Sequence, residues 1–353
     1  MLAVMKTKDG RGVTMAEIEK PSPAEDEVLV RVEAASICGS DLHMYESLRG
    51  YEWITLPLIL GHEFCGIVES SGGAAGEGLV GKRVLINPYV PCGVCYNCRR
   101  GNTNLCDYGM DAMAKVPAKS LKYGFRENGG MAGYAVVKAG NALPLPDGLS
   151  AETASILEAV GIGVRAIERS NVKPGDRVVV IGPGPIGLSL TASLSNLGLS
   201  ELIVTGLRKD EQRLRLAREL GATHIVYADE VDDVEAIRGI TGGQGVDHVF
   251  DTSGFPASVV SAVRMCVKGG EVLLVGISPQ PSTIPTSEIV RGEVTIKGVY
   301  GVTEQTLKRT IAMAASGKYA YDKLVTHVYP LEQAAEGFEA GLAKQAVKVV
   351  LRP

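Results

Sequence analysis

Four cysteines stand close together in the chain and could hold a metal ion. They are spaced C-x2-C-x2-C-x7-C, at Cys92, Cys95, Cys98 and Cys106. Gaps of two residues let thiolates converge on one ion, and four thiolates satisfy tetrahedral zinc without leaving an open position. An iron–sulfur cluster would use the same ligands, but no other feature of the sequence indicates electron transfer. The spacing therefore predicts a structural zinc site.

A cysteine, a histidine and a carboxylate elsewhere could form a second metal site. Cys38, His62 and a carboxylate, for which Glu158 is a candidate, would bind zinc through three ligands and leave the fourth position open for water or substrate. Zinc placed there would help an alcohol to lose its proton, which Ser40 could carry outward and His43 could pass to solvent. Taken singly, Cys38 could also be a buried thiol, His62 a core histidine and Glu158 a surface carboxylate.

A glycine-rich segment has the spacing G-x-G-x-x-G. It follows the apolar run 177–181 and opens the helical stretch 188–197, and its residues are Gly182, Pro183, Gly184, Pro185, Ile186 and Gly187. In a strand–turn–helix unit these glycines allow a tight turn, close approach to a pyrophosphate and close helix packing. The segment therefore predicts a dinucleotide site, with a ligand-free turn as the alternative. Gly276, at the end of the run 272–276, is a further predicted cofactor contact.

The residues that follow the strand-like run 202–205 indicate which dinucleotide is bound. An acidic residue there selects NAD, whereas an arginine suits the 2′-phosphate of NADP. The chain has Gly206 where the acid is expected, followed by Arg208 and Lys209, with Arg213 in the next helix. These residues favour NADP(H). A solvated basic turn beside a cofactor bound by other contacts is the alternative.

The elements that must position these residues change in character near residue 150. Short β-rich segments precede it, at 28–36, 62–70, 82–87 and 134–138. Apolar strand-like runs alternate with helical patterns after it, at 177–181, 202–205, 224–227, 248–251 and 272–276, which predicts βαβ units and a doubly wound parallel sheet. We expect a catalytic domain over 1–157, a dinucleotide-binding domain over 158–298 and a return to the first domain over 299–353.

Composition narrows the classes of function. The 353 residues are 45% hydrophobic, 22% charged and 5% aromatic, with a net charge of −4. Nucleic-acid or anionic-membrane binding has no basic patch to support it, and no apolar stretch predicts a membrane span. Seven clustered cysteines fit metal binding in a reducing compartment better than a disulfide framework. We expect a cytoplasmic protein with a small-molecule substrate.

Taken together, the motifs resemble the zinc-dependent medium-chain dehydrogenase/reductase family, which includes the alcohol dehydrogenases. The resemblance covers essentially the whole chain and rests on CGSDLH (38–43), GHEFCGIV (61–68), the four-cysteine loop (92–106), GPGPIG (182–187) and DTSG (251–254). It implies a GroES-like β-rich catalytic domain, a Rossmann domain and two zinc ions in each chain. A dimer or tetramer is also implied, with 294–301 similar to the family's interface strand.

The resemblance also implies roles for single residues. Cys38, His62 and Glu158 would hold the catalytic zinc, Glu63 would be an alternating ligand, and Asp41 would orient His62. Glu158 resembles the glutamate of the polyol (sorbitol) dehydrogenase branch, although Ala159 and Val160 replace that branch's Pro-Leu. The substrate expected is a secondary alcohol of polyol, sugar or cyclitol type. A threonine-type dehydrogenase or a non-catalytic NAD(P)-binding member are the alternatives. The scarce aromatics suggest a pocket formed by Tyr51, Trp53 and Tyr123.

Overall fold

The computed structural model describes residues 1–51, 53–107, 121–278, 280–344 and 346–353. The chain divides into two compact units. Unit 1 comprises Met1–Glu158, Val302–Ser316 and Val325–Pro353, and unit 2 comprises Ala159–Gly301 and Gly317–Leu324. The return over 299–353 is therefore interrupted, because Gly317–Leu324 groups with unit 2.

The amino-terminal part of unit 1 is built mainly from short strands. Its strands are β1 (Leu2–Lys6), β2 (Thr14–Glu17), β3 (Glu27–Ile37), β4 (Leu58–Ile59), β5 (Glu63–Ser71), β6 (Arg83–Ile86), β7 (Tyr89–Val90), β8 (Leu121–Lys122), β9 (Tyr134–Lys138) and β10 (Ala142–Pro144). Short helices separate them at α1 (Gly39–Tyr45), α2 (Ala74–Glu77), α3 (Tyr96–Arg99) and α4 (Ala151–Ser155). The Ser150 side chain accepts a hydrogen bond from the Thr153 N–H and caps α4.

Unit 2 contains one parallel sheet. Its elements are α5 (Leu157–Arg169), β11 (Arg177–Ile181), α6 (Pro185–Leu194), β12 (Glu201–Gly206), α7 (Glu211–Glu219), β13 (His224–Tyr227), α8 (Asp233–Ile240), β14 (Val246–Asp251), α9 (Ser258–Met265), β15 (Cys266–Leu274), α10 (Thr286–Gly292) and β16 (Thr295–Gly298). The strand order is β13-β12-β11-β14-β15-β16, which is the 3-2-1-4-5-6 order of a Rossmann sheet. The predicted doubly wound fold is confirmed.

The chain then completes unit 1 with α11 (Glu304–Ala315), β17 (Val325–Pro330), α12 (Ala334–Leu342) and β18 (Lys348–Arg352). The last strand pairs with β3, and β3 in turn pairs with β5 and β9. The apolar residues of these strands form the unit 1 core, which includes Val30, Phe64 and Val349. Among the described helices, none is both long and apolar enough to cross a membrane.

Candidate functional site

Three potential ligands of the second metal site meet in unit 1. Cys38 follows the end of β3 and precedes α1, and its backbone N–H donates to Asp41 Oδ2 at 2.8 Å. His62 and Glu63 lie at the start of β5, where Glu63 is paired with Ser36 of β3. One ligand atom each from Cys38, His62 and Glu63 lies within 4.8 Å of the other two. The pairing of β3 with β5 therefore produces a group small enough for one ion.

The Glu63 carboxylate is held on one side only. Its Oε2 accepts hydrogen bonds from Ser36 Oγ and from Lys348 Nζ, while Lys348 also donates to the carbonyl of Ile37 at 3.0 Å. Its Oε1 is buried and has no hydrogen-bond partner within the described chain. A buried carboxylate oxygen without a partner is costly, and a cation bound beside Cys38 would satisfy it.

Lys348 and Ser36 were not among the predicted site residues. Lys348 is only 3% exposed and its ammonium lies among groups of opposite charge. The sequence does contain a signal for Lys348, because it is a single lysine inside the apolar run 347–351. A lysine is rarely buried without a charged partner. Ser36 carried no comparable signal.

The imidazole of His62 faces Asp41. Its Nδ1 lies 3.8 Å from Asp41 Oδ1, and neither atom has a hydrogen-bond partner among the described residues. Burial opposes the charged imidazolium, but the negative charges of Cys38 and Asp41 outweigh it and raise the pKa of His62 well above its usual value. The group therefore presents a negative potential, which suits a bound cation.

Glu158 is fully buried and interacts electrostatically with this group, but it is not one of the three residues whose ligand atoms lie within 4.8 Å of one another. Burial raises the pKa of Glu158, while the positive charges of His62 and Lys122 oppose the rise and Glu63 adds to it. The compact group is formed by Glu63 with Cys38 and His62. The expected third ligand is thus an electrostatic neighbour of the group, and Glu63 occupies the position nearest to the other two.

The predicted proton carriers, Ser40 and His43, occupy opposite environments on α1. The Ser40 hydroxyl is buried and has no hydrogen-bond partner among the residues that the structure describes. His43 is exposed, and its Nδ1 lies 3.4 Å from the hydroxyl of Tyr51. Partial desolvation lowers the pKa of His43, so its imidazole is neutral at pH 7 and able to accept a proton.

Aromatic rings extend from His62 towards the surface. Phe125 lies 4.9 Å from His62 between ring centroids, Trp53 stacks on Phe125 at 5.5 Å, and Tyr51 stacks on Trp53 at 6.2 Å. Two of the three aromatics suggested for a pocket, Tyr51 and Trp53, belong to this series. Tyr123 does not, because it is buried in the unit 1 core and its hydroxyl accepts the Lys138 N–H at 2.8 Å.

The four cysteines of the loop bring their sulfur atoms together. Their sulfur atoms all lie within 4.8 Å of one another, with 3.9 Å from Cys92 to Cys98 and from Cys95 to Cys106. Zinc–sulfur bonds of about 2.3 Å require sulfur separations close to these values. Desolvation raises the pKa of Cys92, but the N–H groups of Val94 and Cys95 outweigh it and lower that pKa to about 7. The loop therefore fits a zinc ion.

In unit 2, the glycine-rich turn connects β11 to α6. Gly182 has a φ of 95°, and a Cβ at Gly187 would lie 2.0 Å from the Gly182 carbonyl oxygen. A Cβ at Gly184 would meet nothing within 4 Å, so open space lies in front of this residue. Gly184 caps α6, and Pro185 and Ile186 form its first turn. The helix therefore directs free N–H groups towards the open space, as a pyrophosphate requires.

The DTSG segment supports this turn from the end of β14. Thr252 Oγ1 donates to the carbonyls of Ile181 and Gly182 at 2.8 and 2.9 Å. Gly276 packs directly on Gly254, since a Cβ there would lie 2.2 Å from the Gly254 nitrogen. The ends of β11, β14 and β15 therefore meet at one edge of the sheet. In this arrangement Gly276 allows close packing of two chain segments.

The predicted selectivity residues lie at the end of β12. A Cβ at Gly206 would lie 2.9 Å from the Pro183 ring, so the ring leaves no room for a side chain at this position. Arg208 is exposed, donates to both carboxylate oxygens of Glu230 at 2.6 and 2.7 Å, and lies 3.9 Å above the Tyr227 ring. Lys209 is exposed, and Arg213 is half-buried, which lowers its pKa.

Two family models match the chain. The model described as alcohol dehydrogenase GroES-like domain matches residues 24–147, and the model described as zinc-binding dehydrogenase matches residues 185–316. The first covers the four-cysteine loop and the group at Cys38, and the second begins inside the glycine-rich turn. Glu158 and the first residues of the glycine-rich turn lie between the two matched ranges.

Individual relatives match over nearly the whole length. Sorbitol dehydrogenase from Bacillus subtilis is 34% identical over 97% of this chain and 95% of the relative. L-threonine 3-dehydrogenase from Bacillus velezensis is 33% identical over 100% and 99%. The crystal structure of a zinc-binding dehydrogenase from Sinorhizobium meliloti 1021 bound to NADP has a TM-score of 0.90 and 29% identity, covering 100% of this chain and 99% of that chain.

Proposed function

The chain belongs to the zinc-dependent alcohol dehydrogenase family and is an oxidoreductase, and we propose that it transfers a hydride between a secondary alcohol of polyol, sugar or cyclitol type and NAD(P). The product of oxidation would be a ketone. The observation that carries the proposal is the group of Cys38, His62 and Glu63, with buried Glu158 beside it. Such a donor set suits a zinc ion with a position open to substrate.

The residues proposed to hold the catalytic zinc are Cys38, His62 and Glu158, with Glu63 as an alternating ligand. Zinc bound there would supply a Lewis acid that favours loss of the proton from the substrate hydroxyl. Ser36 and Lys348 restrain one oxygen of Glu63, so the other oxygen is the one able to approach the ion. Asp41 faces His62 Nδ1 and leaves the second ring nitrogen as the proposed ligand atom.

Ser40 and His43 are proposed to carry the substrate proton. The buried Ser40 hydroxyl needs a partner, and a substrate hydroxyl would provide one. His43 is exposed and has a lowered pKa, so it can accept a proton and release it to solvent. No hydrogen bond joins the two side chains in the described chain, so the proposal needs a water molecule to connect them.

The cofactor is proposed to bind unit 2 at the turn that contains Gly182, Gly184 and Gly187. A nicotinamide cofactor would accept or supply the hydride. The free N–H groups of α6 and the open space at Gly184 support pyrophosphate binding. Further contacts are proposed from Pro185, Ile186 and Gly276.

The preferred cofactor is proposed to be NADP(H). Arg208 and Lys209 follow β12 and have exposed cationic side chains. The planar guanidinium of Arg208 can donate two hydrogen bonds to a 2′-phosphate. Arg213 in the next helix is proposed to approach the adenosine end. Arg208 already binds Glu230, so a phosphate would have to displace or share this partner.

A homodimer or homotetramer is proposed from the edge of the unit 2 sheet. The strand β16 lies at that edge, and exposed apolar residues of the same unit include Ile277 and Val290, each at least 75% exposed. Unpaired strand edges and exposed apolar side chains favour association with another chain. Light scattering of purified protein gives the number of chains directly, and a monomer would contradict the proposal.

A threonine-type 3-hydroxy amino acid dehydrogenase is the second candidate, favoured by the 33% identical relative of that name. A substrate panel separates the two: polyols, sugars, cyclitols and L-threonine are offered with NAD and with NADP, and cofactor absorbance is followed. Activity confined to L-threonine would replace the first candidate by the second. Absence of activity with all of them, in protein that contains zinc, would contradict both and favour a non-catalytic member.

The proposed ligand set is tested separately by metal analysis. Native protein should contain two zinc ions in each chain. Glu158→Ala should lose one of the two or lose activity, while the affinity for the cofactor changes little because the cofactor turn lies in unit 2. Glu152→Ala is a matched control, since Glu152 lies on the neighbouring helix α4 and pairs with Arg352 at 3.0 Å. Full activity and two zinc ions in Glu158→Ala would exclude Glu158 as the third ligand.

A further inference from the structure

A turn carrying two cations lies against the metal group. In the turn 122–127, the Arg126 N–H donates to the Lys122 carbonyl at 3.1 Å and the Gly124 N–H to the Glu127 carbonyl at 2.8 Å. A Cβ at Gly124 would lie 2.8 Å from the Gly61 carbonyl carbon and 3.0 Å from the His62 nitrogen. The turn is therefore in close contact with the backbone that presents His62.

The first cation, Lys122, points its ammonium at rings beside the metal group. Its Nζ lies 4.3 Å from the centre of Phe125 and 4.6 Å from the centre of Tyr89, whose hydroxyl is 3.5 Å away. Phe125 is the ring that lies 4.9 Å from His62. The distance from the Lys122 ammonium to the centre of the His62 ring is therefore at most the ammonium–Phe125 distance plus the Phe125–His62 distance. A short hydroxy acid spans a gap of this size.

Lys122 has no acidic partner of its own among the described residues, where no carboxylate lies within 4 Å of its Nζ. The positive charge of Lys122 acts on buried Glu158 from a longer distance. Glu127, on the same turn, interacts instead with Glu27 and Lys138. A lysine held against aromatic faces, with no carboxylate of the described residues at salt-bridge distance, is able to bind an anion.

The second cation, Arg126, lies on the outer side of the same rings. Its guanidinium carbon is 5.9 Å from the centre of Trp53, and Trp53 stacks on Phe125 at 5.5 Å. Its Nε is buried and has no hydrogen-bond partner within the described chain. Two positive charges therefore flank one aromatic wall, and a planar guanidinium is suited to carboxylate or phosphate.

We infer that the substrate carries an anionic group, a carboxylate or a phosphate, which Lys122 receives beside the metal group with Arg126 as the outer cation. The inference rests on the proposed function, because it assumes that the reacting alcohol lies at Cys38 and His62. It narrows the substrate from any secondary alcohol to an acidic one, such as a hydroxy acid or a phosphorylated sugar alcohol. Neutral polyols would then be weaker substrates than their acidic counterparts.

The test compares matched pairs of substrates that differ only in charge, using the zinc-loaded enzyme. The carboxylate pair is 3-hydroxybutyrate and 3-hydroxybutanamide, and the phosphate pair is sorbitol 6-phosphate and sorbitol. We expect kcat/KM to favour the anion in one pair by on the order of ten- to a hundredfold, and the pair that responds identifies the source of the charge. The ratio should fall towards one in Lys122→Gln, return in Lys122→Arg and persist in Lys82→Gln, an exposed lysine of unit 1.

A second measurement does not depend on catalysis. Trp53 is the only tryptophan of the chain, so its fluorescence reports binding at this wall. Titration of the zinc-loaded protein with phosphate and with 3-hydroxybutyrate should give a saturable change with at least one of them, which Lys122→Gln weakens and Lys82→Gln retains. Saturable binding without turnover of any alcohol would overturn the proposed function and leave the anion site standing. Equal kcat/KM within both pairs, or a preference that survives in Lys122→Gln, would overturn the inference itself.

Discussion

Lys348 and Glu63 are 285 residues apart in the chain and form an ion pair that is almost completely buried. The pair forms because β18, which begins at Lys348, and β5, which begins at Glu63, both lie beside β3. Removal of one member of a buried pair leaves an uncompensated charge. The carboxylate of Glu63 therefore depends on the far end of the chain for its position near Cys38 and His62.

Lys348→Met should destabilise the metal-free protein more than the zinc-loaded protein. Loss of the ammonium leaves Glu63 buried without its counter-charge, at a cost of about 3–5 kcal/mol, whereas a bound ion supplies part of the missing positive charge. Thermal unfolding with and without zinc measures both values. Lys6→Met is the control, because Lys6 is also buried but donates to the carbonyls of Gly12 and Tyr45. An equal zinc effect in the two variants would show that Lys348 does not act through the metal group.

Cys92→Ser should weaken the structural zinc and the fold together. The binding energy of a structural metal is part of the folding energy, and the serine oxygen is a poor replacement for a thiolate with a pKa lowered to about 7. Zinc content, soluble yield and melting temperature are the measurements, with KM of the surviving protein expected near the native value. Cys266→Ser serves as control, since Cys266 lies in β15 of unit 2. Unchanged zinc content in Cys92→Ser would exclude a metal at the loop.

Arg208→Asp should move the cofactor preference from NADP towards NAD. The new carboxylate would repel a 2′-phosphate and accept a hydrogen bond from a free 2′-hydroxyl. Position 208 is chosen rather than 206, because a side chain at Gly206 would meet the Pro183 ring. The ratio of kcat/KM for NADP and NAD is measured in both enzymes, and Arg291→Asp, an exposed charge reversal in α10, should keep the native ratio. A native enzyme that strongly prefers NAD would contradict the proposal.

Glu230→Gln should strengthen the preference for NADP. The Glu230 carboxylate holds the Arg208 fork with two hydrogen bonds, so it competes with a phosphate for the same N–H groups. Both side chains are more than two-fifths exposed, and exposed pairs contribute only up to about 1 kcal/mol, so we expect a change of a few-fold in the dissociation constant of NADP. Glu235→Gln on α8 is the control. Weaker NADP binding in Glu230→Gln would mean that Glu230 positions Arg208 for the phosphate.

His248→Leu should destabilise unit 2. His248 lies between Asp176 and Glu271, at 3.0 and 3.2 Å, and all three side chains are buried. Its loss leaves Asp176 Oδ2 with the Lys173 N–H as a remaining partner, whereas Glu271 keeps Lys297, so we expect a loss of about 1–3 kcal/mol in the free energy of unfolding. Chemical denaturation measures it. His327→Leu, in β17 of unit 1, should lose much less, and equal losses would show that the two carboxylates do not need His248.

Motifs whose residues are neighbours in the chain were visible in the sequence. The four cysteines of 92–106 and the turn at 182–187 each form a site from one short segment, so spacing alone indicates their geometry. The parallel sheet was equally predictable, because buried strands such as 177–181 are continuous apolar runs. The pairing of Cys38 with His62 needed the resemblance to a family, since spacing alone left each residue open to a structural interpretation.

Only the tertiary structure decided which side chains that are distant in the chain form ion pairs. Strand pairing brings Lys348 to Glu63, and a surface contact binds Arg208 to Glu230. Apolar periodicity tells which face of a strand is buried, but it does not tell which strand becomes its neighbour or in which register. The same limit applies to Gly206, where packing against Pro183 rather than local sequence determines whether a side chain fits. Charge partners and free volume are properties of the packed chain, and the sequence alone predicts neither.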